Sequence, residues 1–141
     1  MRVLCCCALR TKIETPNDFP NRYVMGKSEG SERLWHGHVT AVTVAPAFRR
    51  QNLANKLMQT LEKVTEDYHE AYFVDLFVRA SNKVAIEMYE RFGYTAYRRV
   101  LNYYGEEDAF DMRKACKRDV TKSSVVRAAK FEQNPWEIEF D

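Results

Sequence analysis

The strongest constraint on the fold of this chain is an amphipathic helix flanked by two strand-like runs. Residues 34–45 are rich in β-branched side chains and end at Pro46, whereas residues 71–78 are almost continuously apolar. Between them, residues 51–68 place apolar side chains at every third or fourth position, the period of a helix with one buried face. A strand that is apolar on both faces is typical of a parallel pair joined by a crossover helix. The sequence therefore predicts a strand–helix–strand unit in an α/β domain.

Further elements extend this unit at both ends. Residues 23–25 form a short strand-like run before turn residues 28–31, which predicts a hairpin with the next strand. A second helix can be capped by Ser81 or Asn82 and ends at Gly93. The order of elements from residue 22 predicts one α/β (mixed α+β) domain built on a mixed sheet. We also expect strands over residues 94–104 and 109–112, with a turn over residues 105–108. The predicted apolar stripe of the first helix is Leu53, Leu57, Leu61, Val64 and Tyr68, and that of the second helix is Ala85, Met88, Tyr89 and Phe92.

The composition excludes several classes of protein. The chain has 141 residues, enough for one core, and a net charge of +2, which does not favour direct binding to nucleic acid. The sequence has no apolar run near the roughly 20 residues that cross a membrane, so we expect no membrane partner. Four cysteines, Cys5, Cys6, Cys7 and Cys116, lack the spacing of a metal site or a disulfide framework. We therefore expect no metal and a reducing, cytoplasmic location.

The pattern also divides the chain into three parts. Residues 1–21 have no convincing period and are expected to form a separate N-terminal segment. Residues 22–114 contain all the predicted elements. Residues 115–141 are first basic and then acidic, and they lack a core-forming period. We expect them to form a charged, flexible C-terminal tail.

The segment with most chemical information is the turn between the long strand and the first helix, residues 44–54. A helix N-terminus exposes unpaired N–H groups and partial positive charge, which can hold a phosphate. Small residues in this turn let a pyrophosphate approach the main chain. The alternative is a charged surface loop in which Arg49 and Arg50 are solvated.

Residues 49–54 resemble the acetyl-CoA signature of GNAT N-acetyltransferases, R/Q-x-x-G-x-G/A. Asn52 stands where that family usually has glycine. Asn tolerates the left-handed conformation better than other non-glycine residues. We therefore expect the departure to weaken cofactor binding without abolishing it.

A wider resemblance, over about residues 23–120, is to the catalytic subunits of NatB amino-terminal acetyltransferases. It is carried by residues 35–40 (Trp-His-Gly-His-Val-Thr), 72–79 and 82–94, and by Tyr103-Tyr104 followed by residues 111–114. The resemblance implies a GNAT fold that acetylates nascent protein N-termini beginning with Met-Asp, Met-Glu, Met-Asn or Met-Gln. It also implies a large auxiliary subunit and the ribosome as partners.

The same resemblance implies how acetyl-CoA is held. Main-chain groups of residues 42–44 would bind the pantetheine, and N–H groups of residues 50–54 would bind the pyrophosphate. Acetyl transfer would be direct, so no cysteine nucleophile is needed. The expected cofactor-binding residues are Val42, Val44, Arg49, Arg50, Gln51, Asn52, Leu53, Ala54 and Asn82.

His38 is the candidate general base, since histidine titrates near neutral pH. Alternatively, His38 donates to an acidic second residue of the peptide, or it serves the packing of the hairpin. His36 shares its strand face, but no third ligand of suitable spacing suggests a metal.

Tyr89, four residues before the helix-ending Gly93, matches the family's general acid, which protonates the leaving thiolate. Tyrosine keeps its proton at neutral pH. From the residues alone, a core aromatic is the alternative. Tyr103 and Tyr104 either hold the peptide backbone or pack.

GNAT domains usually begin with a strand, two helices and further strands before the hairpin, whereas 22 residues precede Tyr23 here. We therefore expect an N-terminally incomplete domain. The alternative function is a truncated, non-catalytic fragment with impaired binding of acetyl-CoA or of its partner.

Overall fold

The computed structural model describes residues 21–138, so the expected N-terminal segment and its three cysteines lie outside the described residues, apart from Asn21. No helix among the described residues is both long enough and apolar enough to cross a bilayer. The elements are β1 (Arg22–Glu29), β2 (His36–Val44), α1 (Leu53–Asp67), β3 (Phe73–Arg79), α2 (Lys83–Arg91), β4 (Thr95–Val100), β5 (Ala109–Ala115) and β6 (Glu132–Gln133).

The strands form one mixed sheet in the order β1-β2-β3-β5-β4-β6. β1 and β2 form the predicted hairpin, and β2 runs parallel to β3 with α1 as the crossover. β5 is antiparallel to both β3 and β4. The predicted strand–helix–strand unit, the mixed sheet and the α/β (mixed α+β) fold class are confirmed.

Both helices pack on the same face of the sheet. Their apolar stripes share one core with the strands, and Tyr94 closes it from the end of α2. Tyr68, predicted to continue the inner stripe of α1, is instead 82% exposed, because the helix ends at Asp67. The centre of the core is Val24, Val39, Leu57, Met58, Leu61, Val74, Leu76 and Met112.

Gly37 allows α1 to approach β2 closely. A Cβ atom at this position would lie 2.5 Å from Cγ2 and 2.6 Å from Oγ1 of the buried Thr65. Gly37 therefore faces α1. Since successive residues of a strand point to opposite faces, His36 and His38 face away from the helices.

The strand ends differ from the sequence-based expectation near residue 100. β4 ends at Val100 because the chain turns at Asn102, which has a positive φ of 51° and donates its N–H to Asp108 Oδ1 at 2.9 Å. Tyr103 and Tyr104 are therefore on a turn. β5 extends to Ala115, beyond the predicted end at residue 112, because it pairs with β3 along its whole length.

Residues 115–138, expected to be a flexible tail, pack against the sheet. β6 pairs with β4, and Ile138 is buried. The Asp119 carboxylate accepts the N–H groups of Ser123 and Ser124 at 3.1 and 2.8 Å, which fixes a short helical turn over β5. The sequence pattern missed this segment because it is held by main-chain pairing and side-chain capping and not by a repeating apolar stripe.

We predict that Gly37→Ala lowers the free energy of unfolding by about 1–3 kcal/mol, the usual effect of overpacking. Thr65→Ala removes the two atoms that clash, so the double variant should recover part of this loss. Chemical denaturation of the four proteins measures the coupling. Strictly additive effects of the two substitutions would contradict a direct clash.

Candidate active site

The sheet opens between its two parallel strands. β2 and β3 pair at three positions, the last of which joins His38 to Asp75. Beyond this pair, β2 continues to Val44 along β1, and β3 continues to Arg79 along β5. Within the described residues, the strand edges that face the opening have no strand partner for their N–H and C=O groups. Such an opening can take an extended ligand whose polar groups replace the missing strand.

A bulge in β2 accounts for the opening. The register between β1 and β2 shifts between Met25 and Gly26, which leaves Thr40 of β2 as an extra residue. A bulge bends its strand and increases the local twist. Because this one lies two residues after His38, it turns the rest of β2 away from β3.

The turn between β2 and α1 has the main chain of an anion-binding loop. Arg50 and Asn52 both adopt left-handed conformations, with φ of 63° and 57°, so the expected tolerance of Asn52 for this conformation is confirmed. The Asn52 side chain makes no capping hydrogen bond to the first turn of α1. Arg49 Nε donates to the carbonyl oxygen of Val44 at 3.1 Å, which closes the turn. The N–H groups at the positive end of α1 are thus available to an anion.

One groove of about 880 Å³ lies between this turn, the end of β2 and α2. Of the two predicted caps of α2, Ser81 and Asn82, Asn82 is the one present, since its Oδ1 accepts the N–H of Ala85 at 3.2 Å. Gln51 is exposed beside the groove. The predicted residues that line it are Val42, Val44, Arg49, Arg50, Asn52, Leu53, Ala54, Asn82 and Tyr89.

Tyr89 both packs and lines the groove. Its ring contacts Phe92 and Tyr94 edge-on, with centroids 6.3 and 5.9 Å apart, so part of the core-aromatic interpretation is correct. Burial, together with the nearby phenol of Tyr104, raises the pKa of Tyr89 above its ordinary value. The hydroxyl therefore keeps its proton at neutral pH and can act as a donor.

His38 lies on the opposite face of the sheet and is held by Asp75. His38 Nδ1 donates to Asp75 Oδ1 at 2.8 Å. Burial alone lowers the pKa of His38, but the hydrogen bond and the negative charge of Asp75 raise it above 6.5. Burial alone raises the pKa of Asp75, but His38, His36 and Arg113 hold it below its ordinary value. With Nδ1 occupied, Nε2 is the nitrogen of His38 that can exchange a proton with a ligand.

His36 and Glu29 complete a charged cluster around this pair. His36 Nε2 lies 3.7 Å from Glu29 Oε1 and 3.6 Å from Asp75 Oδ2. Glu29 comes from the hairpin partner strand, so a third residue of metal-binding type does lie near both histidines. Lys27 already pairs with Glu29, and Asp75 with His38. We therefore interpret the cluster as a network of ion pairs and hydrogen bonds around the His38–Asp75 pair.

The two tyrosines after β4 lie at the edge of the opening. Tyr103 stacks on Phe77 with ring centroids 4.6 Å apart, and the Phe77 ring is 5.8 Å from the His38 imidazole. Tyr104 donates its hydroxyl to the Phe77 carbonyl oxygen at 3.3 Å, and the Arg79 guanidinium lies 4.3 Å from its ring centroid. Both tyrosines are thus attached to the β3 side of the opening.

The sequence and the fold both match known proteins. The sequence model described as acetyltransferase (GNAT) family matches residues 17–94. The N-terminal acetyltransferase B complex catalytic subunit NAA20 of Arabidopsis thaliana is 58% identical over 129 residues, which cover 91% of this chain and 74% of that relative. The chain belongs to the GNAT acetyltransferase family.

Solved structures of this GNAT type are also similar. A NatB acetyltransferase complex bound to a bisubstrate inhibitor matches with a TM-score of 0.77 and 38% identity, over 92% of this chain and 75% of that one. A NatB complex bound to CoA and MES matches with a TM-score of 0.66 and 43% identity, over 74% and 71%. The chain is an amino-terminal acetyltransferase of the NatB catalytic-subunit type. These matches give no support to a non-catalytic fragment.

Three charged residues near His38 on the candidate site were missed from the sequence. Asp75 is the one charged residue in the buried run 73–78, and an isolated charge in an apolar strand was the available signal. Arg113 was noted only as part of a motif. Glu29 was assigned to a turn, although β1 extends to it and places it opposite His36.

We predict that NMR titration gives His38 a pKa above 6.5 and that Asp75→Asn lowers it, because the variant removes the charge and keeps the shape. The chain has three histidines, so His36→Gln and His69→Gln assign the signals. Since the folded-state pKa is raised, the contribution of His38 to the free energy of unfolding is full below about pH 6.5 and disappears as the pH rises through the folded value. An unchanged His38 titration in Asp75→Asn would contradict this account.

Proposed function

We propose that this acetyltransferase uses acetyl-CoA to acetylate the α-amino groups of nascent proteins that begin with Met-Asp, Met-Glu, Met-Asn or Met-Gln. The observation that carries the proposal is the opening between β2 and β3. The opening begins directly after the His38–Asp75 pair, and the β2 edge that borders it, residues 42–44, also lines the groove with the anion-binding turn. Direct transfer between two substrates requires such a passage, because the thioester and the amine must meet.

The residues of the groove fit acetyl-CoA. The unpartnered edge of residues 42–44 offers main-chain groups to the amides of a pantetheine, and the start of α1 offers N–H groups to its pyrophosphate. Asn82, at the start of α2, lies beside both. The likeness to a NatB complex bound to CoA supports this assignment. Acetyl-CoA supplies an activated thioester, and the chain's residues supply position and proton transfer.

Proton transfer is assigned to two residues on opposite sides of the opening. An α-amino group has an ordinary pKa of about 7.7–8.0, so part of it is already neutral at pH 7 to 8. His38 Nε2 accepts the proton that the amine releases on attack, directly or through water. Tyr89 donates its hydroxyl proton to the departing sulfur, and its raised pKa supports this assignment. No covalent enzyme intermediate is needed.

Peptide binding is assigned to the face that carries His38. Tyr103 and Tyr104 border the opening and offer hydroxyl groups to the peptide backbone. Lys27 lies opposite His38 in the β1–β2 register and would exchange its partner Glu29 for an acidic second residue. We also propose that the chain has a large auxiliary subunit and the ribosome as partners and a cytoplasmic location. This rests on analogy with relatives named as catalytic subunits of a complex.

We predict that acetyl-CoA at 100 times its dissociation constant stabilises the chain by about 2.7 kcal/mol, measured as a thermal shift. Asn52→Gly should tighten binding, because glycine adopts the left-handed conformation without strain. Asn52→Ala should weaken it roughly five- to thirty-fold, the equivalent of about 1–2 kcal/mol of left-handed strain. Asn102→Ala, at an exposed left-handed position that does not line the groove, is the matched control and should change acetyl-CoA binding little. Equal effects of the Asn52 and Asn102 variants on binding would contradict the main-chain assignment.

We also predict that the chain acetylates a Met-Asp peptide in preference to a Ser-Glu peptide, measured by mass spectrometry. Tyr89→Phe should lower kcat by about two orders of magnitude with little change in KM, the range for loss of one general acid. Tyr68→Phe, which removes a hydroxyl from an exposed ring, is the control. Acetyl-CoA binding without acetylation of either peptide would favour the fragment interpretation.

A further inference from the structure

Residues 101–108, between β4 and β5, form a turn that carries Tyr103 and Tyr104, the tyrosine turn. Both tyrosines contact β3, one by ring stacking and the other by a hydrogen bond to a carbonyl oxygen. At the end of the turn, the carbonyl oxygen of Asp108 accepts the N–H of Ala80 at 2.9 Å. These contacts hold the turn to β3 and to the residue that follows it, which is still short of α2.

Glu107 extends the attachment of this turn to the start of α2. Its Oε1 accepts the N–H of Ser81 at 3.1 Å and also accepts the Ser81 hydroxyl. Its Oε2 accepts a hydrogen bond from Nη1 of Arg79 at 2.9 Å. Ser81 directly precedes Asn82, whose side chain caps α2 and which lines the groove. One carboxylate thus joins the tyrosine turn both to the end of β3 and to the residue before the α2 cap.

Arg79 completes this arrangement on the side of the tyrosines. Its guanidinium lies 4.3 Å from the Tyr104 ring centroid while Nη1 donates to Glu107. A single ion pair at the surface contributes little to stability, but a carboxylate that accepts three donors, one of them charged, has a defined position. The same donors hold the pKa of Glu107 below its ordinary value, so the side chain stays anionic at neutral pH. We call this set of contacts, formed by Arg79, Ser81, Tyr104 and Glu107, the clamp.

We propose that Glu107 is a positioning residue for acetyl transfer, which keeps the tyrosine turn at a fixed distance from the start of α2. Tyr103 and Tyr104 are assigned to the peptide, whereas Asn82 and Tyr89 line the groove assigned to acetyl-CoA. Direct transfer requires the amine and the thioester to meet in one geometry, and a displacement of about 1 Å can cost about a hundredfold in rate. The inference rests on the proposed function, because that function assigns the two substrates to the two sides of the clamp.

Glu107→Ala tests the clamp by removing the carboxylate. We expect kcat for a Met-Asp peptide to fall by about ten- to a hundredfold, since each substrate keeps its own contacts but their relative position is no longer fixed. The Kd of acetyl-CoA, measured by calorimetry, should stay close to the wild-type value, because the anion-binding turn and the edge of residues 42–44 are unaltered. Glu106→Ala is the matched control. It removes the same charge from the neighbouring position of the turn, where the side chain is exposed, and should leave kcat unchanged.

Hydrogen exchange, followed by mass spectrometry, gives a measurement that does not depend on activity. Glu107→Ala should speed exchange in residues 79–83 and 101–108, because the Ser81 N–H loses its acceptor, whereas Glu106→Ala should not. Unchanged exchange in a folded Glu107→Ala protein would overturn the clamp. Faster exchange combined with a wild-type kcat would overturn the positioning role.

Glu107→Gln is the second variant, because it keeps an oxygen acceptor for Ser81 and loses the charge that pairs with Arg79. Its kcat should stay within about fivefold of the wild type, the usual range for loss of one exposed ion pair. A fall of about a hundredfold in Glu107→Gln would overturn the inference, even if Glu107→Ala were too unstable to measure. If the wild-type chain acetylates no peptide, the proposed function fails, and the exchange measurement still decides whether the clamp exists.

Discussion

The structure depends on how the hydrogen bonds of β2 are divided between its two neighbours. β2 pairs with β1 along its length but with β3 only as far as His38. A regular strand would have continued both ladders and closed the sheet. The extra residue Thr40 bends β2 before the second ladder can continue, so the edge of residues 41–44 stays open to a ligand. The same bend places the start of α1 and the cap of α2 around one groove.

This division assigns different kinds of group to the two faces of the sheet. On the helix side, the groove offers main-chain N–H groups and apolar side chains, which depend on backbone conformation more than on residue type. On the other side, buried side chains carry opposite charges in a fixed order. Burial of charge is costly unless each group has a partner, and here each carboxylate lies beside a cation or a histidine. Substitutions in the anion-binding turn should therefore act through φ and ψ, whereas those at Tyr89 and on the charged side act through proton transfer.

The elements that the sequence predicts well are those set by local chemistry. The period of α1, the Asn82 cap of α2 and the left-handed Gly93 are each specified by neighbours within a few residues, and all are present. The turn at residues 49–54 belongs to the same class, since helix-end electrostatics and the conformational tolerance of Asn52 are local properties. The resemblance to NatB catalytic subunits added the roles of specific side chains, which no local pattern provides.

The features that the sequence did not reveal arise from strand register. Asp75 meets His38 because a parallel pairing aligns residues 37 positions apart, and Arg113 meets Asp75 through a second pairing. The C-terminal segment lacks an apolar period, yet β6 adds to the edge of β4 and Gln133 accepts a hydrogen bond from Arg98 at 3.1 Å. Buried polar side chains on the face that carries His38 therefore connect the middle of the sheet to residues near the C-terminal end of the described chain. The pKa of His38 depends on the charges nearest to it, Asp75 on β3 and Glu29 and Lys27 on β1, which two different strand pairings bring to it.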